Sequence, residues 1–287
     1  MRTQVGLERV RITISGSAPL SKDILLFLRC LLKGVVIEGY GATETSGPCL
    51  LQVGGDYSVG NVGGPLPSCE VKLRDVPEMN YLTVDRDHNG QPCKGRGELM
   101  IKGYLVTPGY FKNPELTHQS FDEDGFFATG DIAIILPNYS VKIIDRKKNF
   151  FKLAQGEYVA AEKLEIIYGA SPFISQIFVH GDSLQSYLVA VIVPEKEYVM
   201  AWATEKGLQE KTFAELCQTE ELWEAVRDDL ARLYKEAKLH GFERIAKFKL
   251  DPMPWSSDNG MLTPTFKLVR KQIQQHYTSA IDMMYKS

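Results

Sequence analysis

The sequence predicts a mixed fold, an α/β sheet piece and a β-rich stretch followed by an α+β segment. Three observations predict it. A strand, helix, strand order with a glycine-rich end occupies the first 41 residues. Short β-prone runs punctuated by Gly, Pro and Asn-Gly fill residues 54–145. From there on, strand-like runs alternate with amphipathic helical ones.

The first strand is expected over Val10-Arg11-Ile12-Thr13-Ile14-Ser15, which alternates apolar and polar side chains. Gly16-Ser17-Ala18-Pro19 then makes a turn, and Ser21 is an N-cap for a helix running through Lys33. Val35-Val36-Ile37-Glu38 is a short buried strand ending in Gly39-Tyr40-Gly41. In such α/β sheets, ligands bind at the loops beyond the carboxyl ends of the strands.

The β-rich stretch follows. Its runs are Val71–Leu73, Glu98–Ile101, Phe126–Ala128, Ile132–Leu136 and Val141–Ile144. His88-Asn89-Gly90 and Asp122-Glu123-Asp124-Gly125 are turns between them. A small barrel or a twisted sheet accommodates this pattern.

The basic cluster Arg146-Lys147-Lys148 sits where the composition changes, so a linker or hinge is expected there. Beyond it, Ile177–Val179 and Tyr187–Val193 are strands. Thr212 to Leu239 is expected to form one long helix, opened by the capping box Thr212-x-x-Glu215. Its Trp223, Val226, Leu230, Leu233 and Ala237 recur at three and four and form a core stripe. Trp255, Pro252 and Pro254 are packing and turn residues.

Composition narrows the functions. With 33 Lys+Arg against 36 Asp+Glu, the net charge is −3, so a nucleic-acid binder that neutralises phosphates is not expected. The apolar content of 44% supports a folded core and argues against disorder. Apolar runs are short, as in Ile24–Leu28 before Arg29, and neither a membrane span nor a signal peptide is expected. Five scattered cysteines without a CxxC pair predict a reducing compartment and no zinc site.

Four stretches carry chemistry. In Glu38-Gly39-Tyr40-Gly41-Ala42-Thr43-Glu44-Thr45-Ser46-Gly47, glycines flank an aromatic ring able to stack on a ligand. Thr43 and Glu44 supply a hydroxyl and a hard carboxylate, the groups that suit a phosphate and its Mg²⁺. In Gly125-Phe126-Phe127-Ala128-Thr129-Gly130-Asp131, the Asp can accept from two vicinal hydroxyls such as those of a ribose. The third stretch is Ile143-Ile144-Asp145-Arg146-Lys147-Lys148-Asn149, running on to Gln155-Gly156-Glu157-Tyr158. The fourth is Leu262-Thr263-Pro264-Thr265-Phe266-Lys267-Leu268-Val269-Arg270. Taken singly, a plain turn is the better explanation of each of the first two, and a solvated lysine of the last.

In this order and spacing the four stretches resemble the adenylate-forming superfamily of acyl-CoA synthetases, luciferases and adenylation domains. Within it the chain is most similar to the eukaryotic long-chain fatty-acid–CoA ligases. Val76-Pro77-Glu78-Met79-Asn80-Tyr81, the Asp145-Arg146 step, Phe151-Lys152-Leu153-Ala154-Gln155-Gly156-Glu157-Tyr158 and the Thr265-Phe266-Lys267 step carry that similarity. Luciferases and peptide-synthetase domains have Gly-Arg and Ser/Thr-Gly-Lys at the two steps. The similarity runs along essentially the whole chain but corresponds to the carboxyl-terminal portion of the family's protein. The family's Ser/Thr/Gly-rich phosphate loop would lie upstream of residue 1, so the chain alone is expected to be inactive.

The resemblance implies two domains. Residues 1–147 correspond to the tail of the large AMP-binding domain, with its α/β sheet piece and β-rich subdomain. Residues 148–287 correspond to the small mobile domain. It also implies ATP-dependent activation of a long-chain fatty acid to an acyl-adenylate and then to acyl-CoA, releasing pyrophosphate and AMP. The implied catalytic residues are Thr43, Glu44 and Lys267, with Glu44 holding Mg²⁺ and Lys267 bridging the carboxylate and the α-phosphate. Gly16, Ser17 and Ala18 match the adenine-side loop, and Tyr40 lies against the adenine. Gly39 and Gly41 border the acyl tunnel, Thr43 contacts phosphate, Asp131 and Arg146 hold the ribose, and Ile143 is an apolar nucleotide contact. Lys148 matches the hinge and Gly156 the turn along which CoA passes. ATP or AMP, Mg²⁺, CoA and a fatty acid are the expected ligands. A ligase for a medium-chain, very-long-chain or aryl acid, and a non-catalytic AMP-binding module, are the competing functions. Peripheral association with the endoplasmic reticulum membrane is the expected location, with cytoplasm, peroxisome and plastid as alternatives.

Overall fold

In the computed structural model, which describes residues 2–286, the strand expected first is β1 (Ile12–Ser15). It is followed by α1 (Lys22–Leu32) and β2 (Val35–Ala42). Ser21 caps α1 by accepting from the Ile24 amide at 3.3 Å, and Lys33 closes it in the left-handed conformation. β1 and β2 run parallel in the register Ile12↔Val35 to Ser15↔Glu38. The crossover helix buries Leu25 and Leu32 against Val36. β3 (Gly47–Leu51) and β4 (Gly64–Pro65) continue this sheet antiparallel, in the order β1-β2-β3-β4.

The β-rich stretch is an open sheet and not a barrel. β5 (Cys69–Arg74), β8 (Arg96–Gly103), β9 (Phe127–Ile135) and β10 (Val141–Arg146) form four antiparallel strands in the order β10-β9-β8-β5. Between β5 and β8 lies the small hairpin of β6 (Asp87–His88) and β7 (Gln91–Pro92). Its Asn89 and Gly90 both take positive φ, as a tight primed turn requires. The helix α2 (Pro114–Ser120) precedes β9. Cys49 and Leu50 of the first sheet pack with Leu99, Ile101, Ala133 and Val141 of the second in one core, with Tyr40 and Ile143 at its margin.

The chain divides into two compact units, Met1–Lys148 and Asn149–Ser287, one residue beyond the 147/148 boundary expected from the sequence. The second unit opens with a hairpin of β11 (Phe150–Lys152) and β12 (Tyr158–Ala160), then α3 (Ala161–Tyr168). Its sheet is β13 (Ile174–His180), β14 (Leu188–Pro194) and β15 (Ile245–Leu250), with β14 central. β14 is buried along its whole length, which explains its nearly unbroken apolar sequence. Leu188, Ala190 and Ile192 enter the core beneath α3 and the helices that follow β14. Val189, Val191 and Val193 pack on the opposite face with Trp255, Tyr277 and Ile281. Each of the buried Val, Leu and Ile side chains contributes roughly 1.5–3 kcal/mol by leaving water.

The helical stretch after β14 departs from the sequence expectation. Besides α4 (Lys196–Glu205) there are two helices where one was expected, α5 (Phe213–Leu216) and α6 (Glu220–Glu236). The capping box is present at Thr212 and Glu215. A second N-cap, Thr219, stops α5 and starts α6, accepting from the Leu222 amide at 3.3 Å and donating to the Leu216 carbonyl at 2.8 Å. Glu220 and Glu221 follow it, favourably placed in the first turn of α6. Val226, Leu230 and Leu233 form the buried stripe with Trp223 at its edge, but Ala237 is the exposed C-cap and no part of it. Replacing Thr219 by Ala should cost about 1 kcal/mol, a fall of roughly 4 °C in the melting temperature. A circular-dichroism melt matching the unsubstituted chain would refute the second cap. α7 (Arg270–His276) and α8 (Thr278–Lys286) close the chain.

Candidate active site

The loops at the carboxyl ends of β1 and β2 carry the first group of expected residues. After β1, Gly16 comes so close to β2 that a Cβ there would lie 3.1 Å from the Gly39 carbonyl oxygen. Ser17 follows in the left-handed conformation, with Ala18 next to it. Gly39 and Gly41 have a structural explanation of their own. A Cβ on Gly41 would sit 2.1 Å from the Gly47 carbonyl oxygen, and one on Gly39 would sit 2.8 Å from Leu51 Cδ1. The approach of β3, with a register shift between Tyr40 and Gly41, therefore accounts for both glycines without a ligand. Gly41→Ala should destabilise the first unit by about 1–3 kcal/mol through overpacking against backbone. The urea midpoint should fall at unchanged slope, and an unmoved midpoint would contradict the packing described.

Beyond β2, Thr43–Thr45 form one 3₁₀ turn. Thr45 ties it, accepting from the Ala42 amide at 2.8 Å. Thr43 is thereby left exposed and Glu44 half-exposed on the loop side of the sheet. The Glu44 carbonyl accepts from the Thr107 amide at 2.7 Å, and its Oε1 accepts from the Tyr110 hydroxyl at 2.7 Å.

Asp131 lies on β9 and is 4% exposed. The Tyr40 hydroxyl donates to Asp131 Oδ2, so the two stretches separated by 91 residues meet. Burial and the Asp131 charge both hold the Tyr40 phenol above the usual tyrosine range. It stays a donor at every physiological pH. Arg146 is the cross-strand partner of Asp131 in the β9–β10 ladder and places Nε 3.3 Å from Oδ1. That pairing depends on a register shift at Ile144, without which Arg146 would fall one position away. Thr129 supports the approach to Asp131, donating to the Leu99 carbonyl at 2.8 Å and accepting from the Asp131 amide at 3.1 Å. Ile143 packs at the margin of the same core as Tyr40.

The structure thus brings Tyr40, Asp131 and Arg146 together, and places Thr43 and Glu44 on the turn that follows Tyr40. Three further residues act here without having been singled out from the sequence. Tyr110 holds Glu44. Thr129 braces Asp131. Glu98, also 4% exposed, accepts from the Gly130 amide at 3.2 Å and from Arg74 at 2.8 Å, with Lys147 Nζ at 3.9 Å. Lys147 also pairs with Glu78 at 3.0 Å. Lys148 is exposed and ends the first unit.

In the second unit, Gly156 lies in the exposed turn of the β11–β12 hairpin at φ +93°. That value favours glycine over any residue with a Cβ. Lys267 closes another turn. The Thr263 amide donates to the Lys267 carbonyl at 2.8 Å, and the Lys267 amide donates to Thr263 Oγ1 at 3.1 Å. Phe266 is 80% exposed at φ +61°, a left-handed position that glycine adopts more readily. Arg270 clamps the far side of this turn, pairing with Glu165 at 2.5 Å and donating to the Val179 carbonyl at 3.3 Å. Among the described residues the Lys267 ammonium has no hydrogen-bond or ion-pair partner.

Among the described residues no three His, Cys, Asp or Glu side chains gather as a metal cage. A lone half-exposed carboxylate, as at Glu44, fits Mg²⁺ only if substrate phosphates and water supply the other ligands, which is the ordinary habit of that ion.

Residues 2–111 match the protein family described as AMP-binding enzyme. Long-chain-fatty-acid–CoA ligase 1 of Homo sapiens is 44% identical over 279 residues, covering 97% of the chain and 38% of that relative. Long chain acyl-CoA synthetase 6, peroxisomal, of Arabidopsis thaliana is 44% identical over 278 residues, covering 97% of the chain and 39% of that relative. The chain therefore spans less than two-fifths of the length of these relatives. Among solved structures, the A domain of carboxylic acid reductase from Segniliparus rugosus, in complex with AMP and a co-purified carboxylic acid, superposes with a TM-score of 0.77 at 35% identity. The superposition covers 96% of the chain and 39% of that structure's chain.

Proposed function

We propose that this chain, whose residues 2–111 match the AMP-binding enzyme family and which is 44% identical to a long-chain-fatty-acid–CoA ligase, serves ATP-dependent activation of a long-chain fatty acid to acyl-CoA. The observation that carries this reading is the buried Asp131 carboxylate, held by Tyr40 and Arg146. An ionised carboxylate is acceptor-only and can receive a pair of ribose hydroxyls. Arg146, 57% exposed, can yield or add a contact without disturbing the core.

The chemistry has two halves. A fatty-acid carboxylate oxygen bonds to the α-phosphorus of ATP as the bond to pyrophosphate breaks. The CoA thiolate sulfur then bonds to the acyl carbon as AMP leaves with the former carboxylate oxygen. In the first half two anions must meet, so fixed positive charge where they join lowers the barrier. Lys267 is proposed to supply it, a flexible ammonium that follows the charge from carboxylate to leaving phosphate. Thr43 contacts phosphate through its hydroxyl, and Glu44 holds Mg²⁺, which supplies phosphate neutralisation when bound. Gly16, Ser17 and Ala18 border the adenine and Ile143 adds an apolar contact. Gly39 and Gly41 line the acyl side, Lys148 serves as the hinge, and Gly156 lets CoA pass close to backbone.

No helix of the described residues is long and apolar enough to cross a membrane. A fatty-acid substrate partitions into bilayers, so we place the reaction at a membrane surface, that of the endoplasmic reticulum or the peroxisome.

The test is product stoichiometry with oleate, ATP and CoA. One oleoyl-CoA, one AMP and one pyrophosphate per turnover are expected from the enzyme that contains this chain. A panel of shorter, longer and aryl acids should be used less well than oleate. Tight AMP binding with no thioester from any acid would instead identify a non-catalytic AMP-binding module.

A further inference from the structure

Glu44 is reached by a residue 66 positions further along the chain. Tyr110 donates its hydroxyl to Glu44 Oε1 at 2.7 Å, while the Thr107 amide holds the Glu44 carbonyl. We propose that Tyr110 is a positioning residue for the Glu44 carboxylate, fixing one oxygen so that the other is presented to Mg²⁺ bound with the nucleotide phosphates. This rests on the function proposed above.

Tyr110 is itself firmly placed. Its amide donates to Thr117 Oγ1 at 2.8 Å, and that hydroxyl donates to the Asn113 carbonyl at 2.9 Å. Asn113 caps α2 by accepting from the Leu116 amide at 3.0 Å. Gly109, just before Tyr110, lies so close to Thr117 that a Cβ would come within 2.5 Å of its methyl group. The phenol is therefore delivered from a segment fixed to α2. Glu44, by contrast, sits in a 3₁₀ turn, half-exposed, with three rotatable side-chain bonds. Without the phenol the carboxylate would sample several rotamers. With it, one oxygen is engaged and the geometry of the other is set. Outer hydrogen bonds of this kind govern the affinity of metal-ligating side chains.

The test uses the full chain and two variants, Tyr110→Phe and Glu44→Gln. Mn²⁺ retention in the presence of ATP is read from the free-ion electron paramagnetic resonance signal. Metal-free AMP binding is read by calorimetry, and folding by a thermal melt. Tyr110→Phe should weaken Mn²⁺ retention about tenfold. Metal-free AMP affinity and the melt should stay as in the unsubstituted chain. Adding Tyr110→Phe to Glu44→Gln should cause no further loss, because the two act through one carboxylate. Unchanged Mn²⁺ retention in Tyr110→Phe beside a clear loss in Glu44→Gln would overturn the positioning role alone. Equal falls in AMP affinity and melting temperature would overturn it too, by making Tyr110 a structural prop. Unchanged retention in Glu44→Gln would overturn the metal role of Glu44 and the positioning role with it.

Discussion

Asp131→Asn is expected to lower AMP affinity by about 10–100-fold, since hydrogen bonds to a charged group contribute about 1.5–3 kcal/mol. The substitution preserves shape and removes charge. The Tyr40 hydroxyl donates to the carboxylate and the Arg146 guanidinium pairs with it. An Asn amide turned one way leaves one of them facing an NH₂, and turned the other way it faces the second. The same NH₂ cannot accept from a ribose hydroxyl. Calorimetric titration with AMP and with 2′-deoxy-AMP separates the effects. The unsubstituted chain should prefer AMP, and Asp131→Asn should lose that preference. A variant that binds both nucleotides as tightly as the unsubstituted chain would remove Asp131 from the ribose site.

Lys267→Ala is expected to slow ATP–pyrophosphate exchange with oleate by about 10²–10³-fold, the usual consequence of removing one donor aimed at developing charge. Thioester formation from preformed oleoyl-AMP and CoA should be nearly unaffected. The geometry supports so selective a loss. The turn carrying Lys267 is held by backbone and Thr263 on one side and by Arg270 with Glu165 on the other, and the ammonium takes no part in holding it. Truncating the side chain therefore leaves the turn intact. Lys267→Arg should recover only part of the rate, because a rigid planar fork replaces a compact charge. Equal losses in both halves would point to a general structural role.

Much of the local structure was legible because it is written in adjacent residues. Ser21 before an amphipathic run, the Thr212–Glu215 box and the Asn89-Gly90 turn all announce themselves within four positions, and all form as expected. The break between α5 and α6 was hidden because Thr219 interrupts capping but not apolar periodicity. The candidate site residues could be named from the family resemblance of their motifs, yet their interactions could not. That Tyr40 bonds Asp131 depends on two sheets sharing one core. That Arg146 faces Asp131 depends on one extra residue in β10. Tyr110 and Glu98 lie outside the four stretches, and only the fold brings Tyr110 to Glu44 and Glu98 to the Gly130 amide beside Asp131. Gly39 and Gly41 taught the reverse lesson: glycines expected for a ligand's sake are required by the neighbouring strand.

A crystal structure of the chain grown with AMP tests the central claim most directly. The account predicts both ribose hydroxyls within hydrogen-bond distance of the Asp131 carboxylate, with Tyr40 still bonded to it and the phosphate near Thr43. A ribose bound elsewhere, with Asp131 still closed off by Tyr40 and Arg146, would contradict it.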